Sequence, residues 1–210
     1  MAKNKEVKPL DTTTEEKIKN AARAVFYQKG YAATRTRDIA EEAGINLALL
    51  NYYFRSKGKL FEIIMFETLS GFMQRMGMIL NDGQSTLEQK VELVASHYID
   101  FVIKEPNIPI FMLSELRNNA AGLLEKLPIT QLVANSTFIK QHREAVAKGE
   151  IAEPNPLHFL MNLLGLIIFP FIGSPLLKAI GGVNDTQFTK LMQERKQLIP
   201  VWINAMMKVK

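Results

Sequence analysis

The 210-residue chain reads as an all-α protein. Apolar residues recur at helical spacing in one stretch after another. Residues that cap helices precede these stretches, and Gly or Pro closes most of them. Near the start, two short helical stretches flank a single Gly, which is how a helix-turn-helix looks in sequence. The expected architecture is a small N-terminal three-helix domain followed by a larger C-terminal helical domain, about nine helices in all.

Residues 1–11 lack periodicity and carry Pro9, so they read as a flexible arm. Helix 1 is expected from about Thr13 to Lys29. Thr12 to Thr14 offer caps, Glu15 and Glu16 suit the first turn, and Ile18, Ala21, Ala22, Val25 and Phe26 form one stripe. Gly30 stops it. Thr36 is read as the cap of helix 2, whose first turns hold Asp38, Glu41 and Glu42 and whose apolar face is Ile39, Ala40 and Ala43. Gly44 ends that helix, because Gly takes the left-handed conformation cheaply. Asn46 caps a third helix, Leu47 to Tyr53, the candidate reader of the DNA major groove.

Helix 4 runs from about Lys57 to Leu80, with Leu60, Ile63, Ile64, Leu69, Phe72, Met73 and Met76 on a broad apolar face. Asn81-Asp82-Gly83 breaks it. Helix 5 is read from Thr86 to Lys104 and helix 6 from Ile108 to Asn118. Gly122 and Pro128 mark a loop, after which a single helix extends to about Lys148. Residues 156–172 are the most apolar segment. His158, Asn162 and Pro170 interrupt it, so it falls short of the roughly 18 to 20 uninterrupted apolar residues of a bilayer crossing. Burial on two fronts, a core and a partner subunit, is expected instead. The last helix covers about Asn184 to Met207, and Pro200 should bend or break it.

Charge is unevenly spread. Residues 1–60 hold 12 Lys and Arg against 7 Asp and Glu, whereas residues 61–210 hold 14 of each. The excess therefore lies with the helix-turn-helix, as an electrostatic footprint for phosphate does. A solvated basic tail accounts equally well for Lys3, Lys5 and Lys8. It accounts less well for Arg35, Arg37, Arg55, Lys57 and Lys59, which bracket the motif. Cysteine is absent and the three His are scattered, which leaves no basis for disulfides, thiolate metal sites or any other metal centre. No cofactor motif, nucleophile–base pair or carboxylate pair stands out, so no catalytic residue is assigned. Ser96-His97 are neighbours on a helix and point in different directions.

The candidate reading helix has no Lys or Arg. Base contacts would come from Asn51 by hydrogen bonding and from Leu47 and Ala48 against thymine methyl groups, with Arg37 the candidate for guanine. Thr36, Tyr52, Arg55 and Lys57 would fix orientation on the backbone.

The flanks add a resemblance. Upstream stands Thr14-x3-Ile18-x2-Ala21-Ala22-x3-Phe26-x3-Gly30-Tyr31-x2-Thr34, and downstream Tyr52-Tyr53-Phe54-Arg55-Ser56-Lys57-x2-Leu60. Over residues 12–65 the chain resembles the DNA-binding domain of the tetracycline-repressor (TetR) family. The resemblance implies a DNA-binding domain at 12–56 and an effector-binding and dimerisation domain at 57–210. It places Thr36 and Arg37 where relatives touch backbone and bases. Asn46, Leu47 and Ala48 fall at the start of the reading helix, and Tyr52 and Lys57 fall where phosphate is held. Asn51 departs from the pattern, since relatives commonly carry Tyr there.

The same resemblance implies a cytoplasmic bacterial repressor that binds a palindromic operator as a homodimer and is released by a small-molecule effector. Flexible Met and flat aromatic rings suit an apolar or aromatic effector. Phe72, Met73, Met76, Phe101, Phe111, Met112 and Phe138 are the candidate pocket, with His97 and Glu115 as its polar groups. The last two long helices would pair with their copies through Phe159, Leu163, Ile167, Leu191, Leu198 and Trp202. The alternative is a helical DNA-binding protein without an effector.

Overall fold

The computed structural model describes residues 12–208, and the arm at 1–11, with its Lys residues and Pro9, lies outside them. The described residues form eleven helices and no strand. These are α1 Thr12–Ala33, α2 Thr36–Glu42, α3 Leu47–Phe54, α4 Lys57–Asn81, α5 Leu87–Lys104, α6 Ile108–Lys126, α7 Ile129–Ala134, α8 Thr137–Ala147, α9 Pro156–Ile172, α10 Ser174–Gly181 and α11 Asp185–Met207. The chain divides into two compact units that meet between Thr68 and Leu69.

In the first unit, Ile18, Ala22, Val25 and Phe26 of α1 are buried with Ile39, Ala40, Leu50, Phe54, Leu60 and Ile64. Gly30 interrupts α1 with φ 73, and one further turn follows it. The Thr34 hydroxyl donates to the Gly30 carbonyl at 2.7 Å and closes that turn. Helix α2 ends in a Schellman motif. Gly44, at φ 60, donates its N–H to the Glu41 carbonyl and Ile45 donates to Ala40, both at 3.0 Å. Asn46 then caps α3, its Oδ1 accepting from Leu49 N–H at 2.8 Å. Tyr31 packs on Phe61 at 4.6 Å between ring centroids, and Phe61 on Phe26 at 5.1 Å.

The second unit has its own core, in which α5 lies along α11 and α9, with α8 and α6 against α9. Val91, Ala95 and Ile99 of α5 meet Phe159, Leu163 and Ile167 of α9 and Ile199 and Ile203 of α11 there. Thr86 and Gln89 form a reciprocal capping box at the start of α5.

Four elements differ from the sequence reading. The stretch expected as one helix up to Lys148 is two, α7 and α8, because Ser136 caps a new start by accepting from Ile139 N–H at 3.3 Å. A short helix, α10, follows Gly173 with Pro175 in its first turn, where a missing N–H costs nothing. Helix α11 runs through Pro200 without breaking. Helix α6 continues past Asn118, with Asn119 at non-helical angles where the end was expected.

Candidate functional site

Helix α3 presents two faces. Leu50 and Phe54 are buried in the first unit, while Leu47, Ala48, Asn51 and Tyr52 are exposed, Tyr52 by 57%. This follows from helical spacing: 50 and 54 lie one turn apart, and 47, 48, 51 and 52 fall on the opposite arc. Arg37 is exposed on α2 and Thr36 beside it is half-buried. Asn46 is exposed but its carbonyl oxygen is committed to the cap, which leaves its amide N–H groups for a ligand.

Thr36 is not the cap of α2. That position belongs to Arg35, in extended conformation, and the Asp38 carboxylate reaches back to accept Arg35 N–H at 2.9 Å. The hydrogen bond from Arg35 N–H, together with the Lys29 ammonium 3.3 Å away, holds the Asp38 carboxyl below its usual range. Thr36 is the first helical residue, and its hydroxyl is not spent on capping.

Lys57 does something local sequence signals do not reveal. Its ammonium donates to the carbonyls of Tyr31 and Thr34, each at 2.8 Å, and lies 4.3 Å from the centre of the Tyr31 ring. One side chain therefore pins the start of α4 to the α1–α2 turn. An ammonium has three donors, so one remains for an outside acceptor. Arg55, between α3 and α4, is the one non-glycine residue at positive φ among the described residues, at φ 52 and ψ −41. Its side chain is exposed. Arg37, the outward arc of α3, Tyr52, Arg55 and Lys57 thus reach the surface of the first unit, with cations before and after the reading helix and neutral side chains on it. Such a surface suits a groove lined by phosphates and read through base edges and methyl groups.

In the second unit, Phe72, Met76 and Phe138 are buried, and Phe72 stacks on Phe101 with centroids 4.0 Å apart and planes 10° apart. Tyr98 packs edge-on to Phe72 at 4.8 Å, and burial pushes its hydroxyl up to about 12. Met73, His97, Phe101, Phe111, Met112 and Glu115 are half-buried. Two cavities of about 540 and 370 Å³ occur in this unit, one between the start of α5 and the ends of α8 and α11, the other along α7 and α8. Neither is lined by any of the nine candidate pocket residues.

The candidate dimer residues divide. Leu191 and Leu198 are exposed and Trp202 is half-buried, with the Arg195 guanidinium 5.0 Å from the Trp202 ring centre. Phe159, Leu163 and Ile167 are buried inside their own unit, Leu163 to 1% exposure, so they are not open to a second copy. The outward arc of α9 is instead Leu157, Met161, Leu164 and Phe169, continued by Leu176 and Ile180 of α10 and Val201 and Met206 of α11. These large apolar side chains stand in the open in the single chain. No single helix among the described residues is long and apolar enough to cross a membrane. The α9–α10 pair meets the length and composition of a span only when taken together, and it is bent by 74°.

Comparison with known proteins finds relatives of the first unit and of the whole chain. A model of the family described as bacterial regulatory proteins, tetR family, matches residues 18–64. The probable HTH-type transcriptional regulator YttP of Bacillus subtilis is 26% identical over 209 residues, which cover 93% of this chain and 95% of that protein. The fatty acid metabolism regulator protein of the same organism is 26% identical over 194 residues, covering 91% of each. Among solved structures, the transcriptional regulator FadR from Bacillus subtilis in complex with stearoyl-CoA superposes with a TM-score of 0.58 at 22% identity. That superposition covers 88% of this chain and 97% of FadR, and the likeness is one of fold.

Proposed function

We infer that the chain belongs to the tetR family of bacterial regulatory proteins, a family of DNA-binding transcriptional regulators. On that premise we propose that it is a repressor which grips a palindromic operator as a homodimer and releases it when a small apolar effector binds. The observation that carries this reading is the outward arc of α3, where Leu47, Ala48, Asn51 and Tyr52 stand exposed between Arg37 and Arg55. Leu47 and Ala48 meet thymine methyl groups, Asn51 hydrogen-bonds a base edge, and Arg37 takes guanine. Tyr52, Arg55, Thr36 and the remaining donor of Lys57 hold phosphate.

One unit of this size binds weakly at physiological salt, and two on a two-fold axis bind far better. The apolar faces of α9, α10 and α11 supply the surface for that pairing. Selection of bound sequences from random duplex DNA tests the proposal. A palindrome with half-sites about one helical turn apart is the expected product, and recovery of no common sequence overturns it.

Release requires an effector that binds one setting of the protein better than the other. An apolar effector is supported by the Met and aromatic side chains around Phe72 and Phe101, and by the relative named a fatty acid metabolism regulator. A second reading, DNA binding without an effector, draws on the tight stacking of those same two rings. Stearoyl-CoA added to the operator complex separates the two: release favours the first, and unchanged binding with no bound ligand favours the second.

A further inference from the structure

Helix α9 runs to Ile172 through Pro170, which is buried. Proline has no backbone N–H, so the carbonyl four residues earlier loses its helical donor. In α9 that carbonyl belongs to Leu166, and it does not go unmatched. The Arg195 guanidinium of α11 donates to it through Nη2 at 2.7 Å, in a part-buried position. A side chain of one helix thus fills the gap in the hydrogen-bond ladder of another. An acceptor shielded from water and left without a donor is costly, so the two residues are coupled. The arginine is needed at this place because the proline is there.

Arg195 is held in an unusual setting. Its Nε is buried without a hydrogen-bond partner among the described residues. Burial pushes its pKa down, with no carboxylate to offset the effect. The next residue shows the ordinary arrangement, since the Lys196 ammonium pairs with the Asp100 carboxylate of α5. A desolvated cation that meets a carbonyl instead of a carboxylate adds little to stability. Its use lies in direction: a guanidinium is planar, with donors in a fixed fork, and it fixes the two helices that it joins.

The place of this bond matters. Leu191 and Leu198, one turn before and one turn after Arg195, are exposed, and so are Leu164 and Phe169 on either side of Leu166. The guanidinium also lies 5.0 Å from the centre of the Trp202 ring, within cation–π range. One side chain therefore holds a carbonyl of α9 and the indole of α11 among the open apolar residues of both helices.

We propose, on the homodimer reading above, that Arg195 is a positioning residue for self-association. By closing the gap at Pro170 it locks α9 to α11, so that their open apolar residues meet a second copy as one preset face.

Sedimentation equilibrium of the full chain without DNA, over a range of concentrations, tests this. Arg195→Met keeps the apolar stem, removes every donor, and should weaken pairing roughly tenfold or more. Arg195→Lys keeps a cation and a donor and should pair much as the wild type does. Arg195→Gln, with a shorter neutral donor, stands in for the Met variant if that chain does not fold. Leu163→Ala, which loosens the core alone, should leave pairing unchanged. Pro170→Ala returns an N–H to the Leu166 carbonyl, so Arg195→Met should weaken pairing far less in that background. Equal losses in the two backgrounds overturn the link to the proline. Unchanged pairing in Arg195→Met, or a loss in Leu163→Ala as large as in Arg195→Met, overturns the positioning role and leaves the homodimer reading intact. A wild type that stays monomeric at every concentration overturns that reading and the positioning role with it.

Discussion

Arg55 offers a substitution whose two effects have opposite signs. Its backbone sits at φ 52 and ψ −41, a region where a side chain clashes with its own backbone. Such a residue stores roughly 1–3 kcal/mol of strain. Glycine adopts the conformation freely but costs about 0.5–1 kcal/mol in unfolded-state entropy. Arg55→Gly should therefore stabilise the first unit by about 1 kcal/mol, a rise of roughly 2–4 °C in midpoint for a chain of this size. The same change removes an exposed cation from the end of α3. If that cation holds a phosphate, DNA affinity falls, and the slope of log affinity against log salt shrinks by about 1. Arg55→Ala is the control, since it removes the cation and keeps the strain. Calorimetry and salt-dependent binding of both variants decide the matter. The strain argument fails if Gly is no more stable than Ala. The phosphate role fails if neither variant changes the salt slope.

Other outcomes follow from single features. Lys57→Met deletes two charge-assisted hydrogen bonds to carbonyls, each worth roughly 1.5–3 kcal/mol, so urea denaturation should show a loss of about 2 kcal/mol or more. An unchanged midpoint would mean that the lysine does not pin the turn. Leu163→Ala should cost about 2–5 kcal/mol of stability through a core cavity and leave the oligomeric state alone. Leu164→Glu with Val201→Glu should do the reverse, giving folded monomer by sedimentation. His142 is fully buried against Phe159, with both ring nitrogens unpartnered among the described residues. Burial holds its pKa below the ordinary 6.5, the Glu153 charge opposing and Arg143 adding to the effect. The unfolded imidazole then takes up a proton before the folded one does. Stability is accordingly flat above pH 6.5 in this respect and falls as the pH drops below it. The wild type should lose stability between pH 7.5 and 5.5 relative to His142→Phe, and parallel curves for the two would refute the assignment.

Local signals were legible and phase was not. Asn46 and Gly44 announce the helix-turn-helix because a cap and a left-handed turn depend on adjacent residues alone, and both hold in the structure. The start of α2 misled because two cap chemistries compete there, and the Asp38 carboxylate reaching back outbids the Thr36 hydroxyl. Ser136 carried the signal that would have split α7 from α8, as did Ser174-Pro175 for α10. Helix α9 is the instructive failure. A helix apolar on almost every side has no polar stripe to reveal its rotation. Periodicity therefore could not say that Phe159, Leu163 and Ile167 turn inward while Leu157, Met161 and Leu164 turn out. Lys57 was assigned to phosphate from its place in the motif. Its bonds to Tyr31 and Thr34, 26 and 23 residues away, belong to tertiary structure.

The want of any cation on α3 has a further bearing. On the proposed reading, in which Leu47 and Ala48 face the groove, they would recognise a methyl group and not the base that bears it. The C5 methyl of thymine and that of 5-methylcytosine occupy the same place in the major groove. Epigenetic marking of a cytosine in the operator should then read to this protein as a cytosine-to-thymine change at that step. Gel-shift titration of one duplex carrying cytosine, 5-methylcytosine or thymine at the contacted position would reveal it, the latter two binding alike and more tightly than the first.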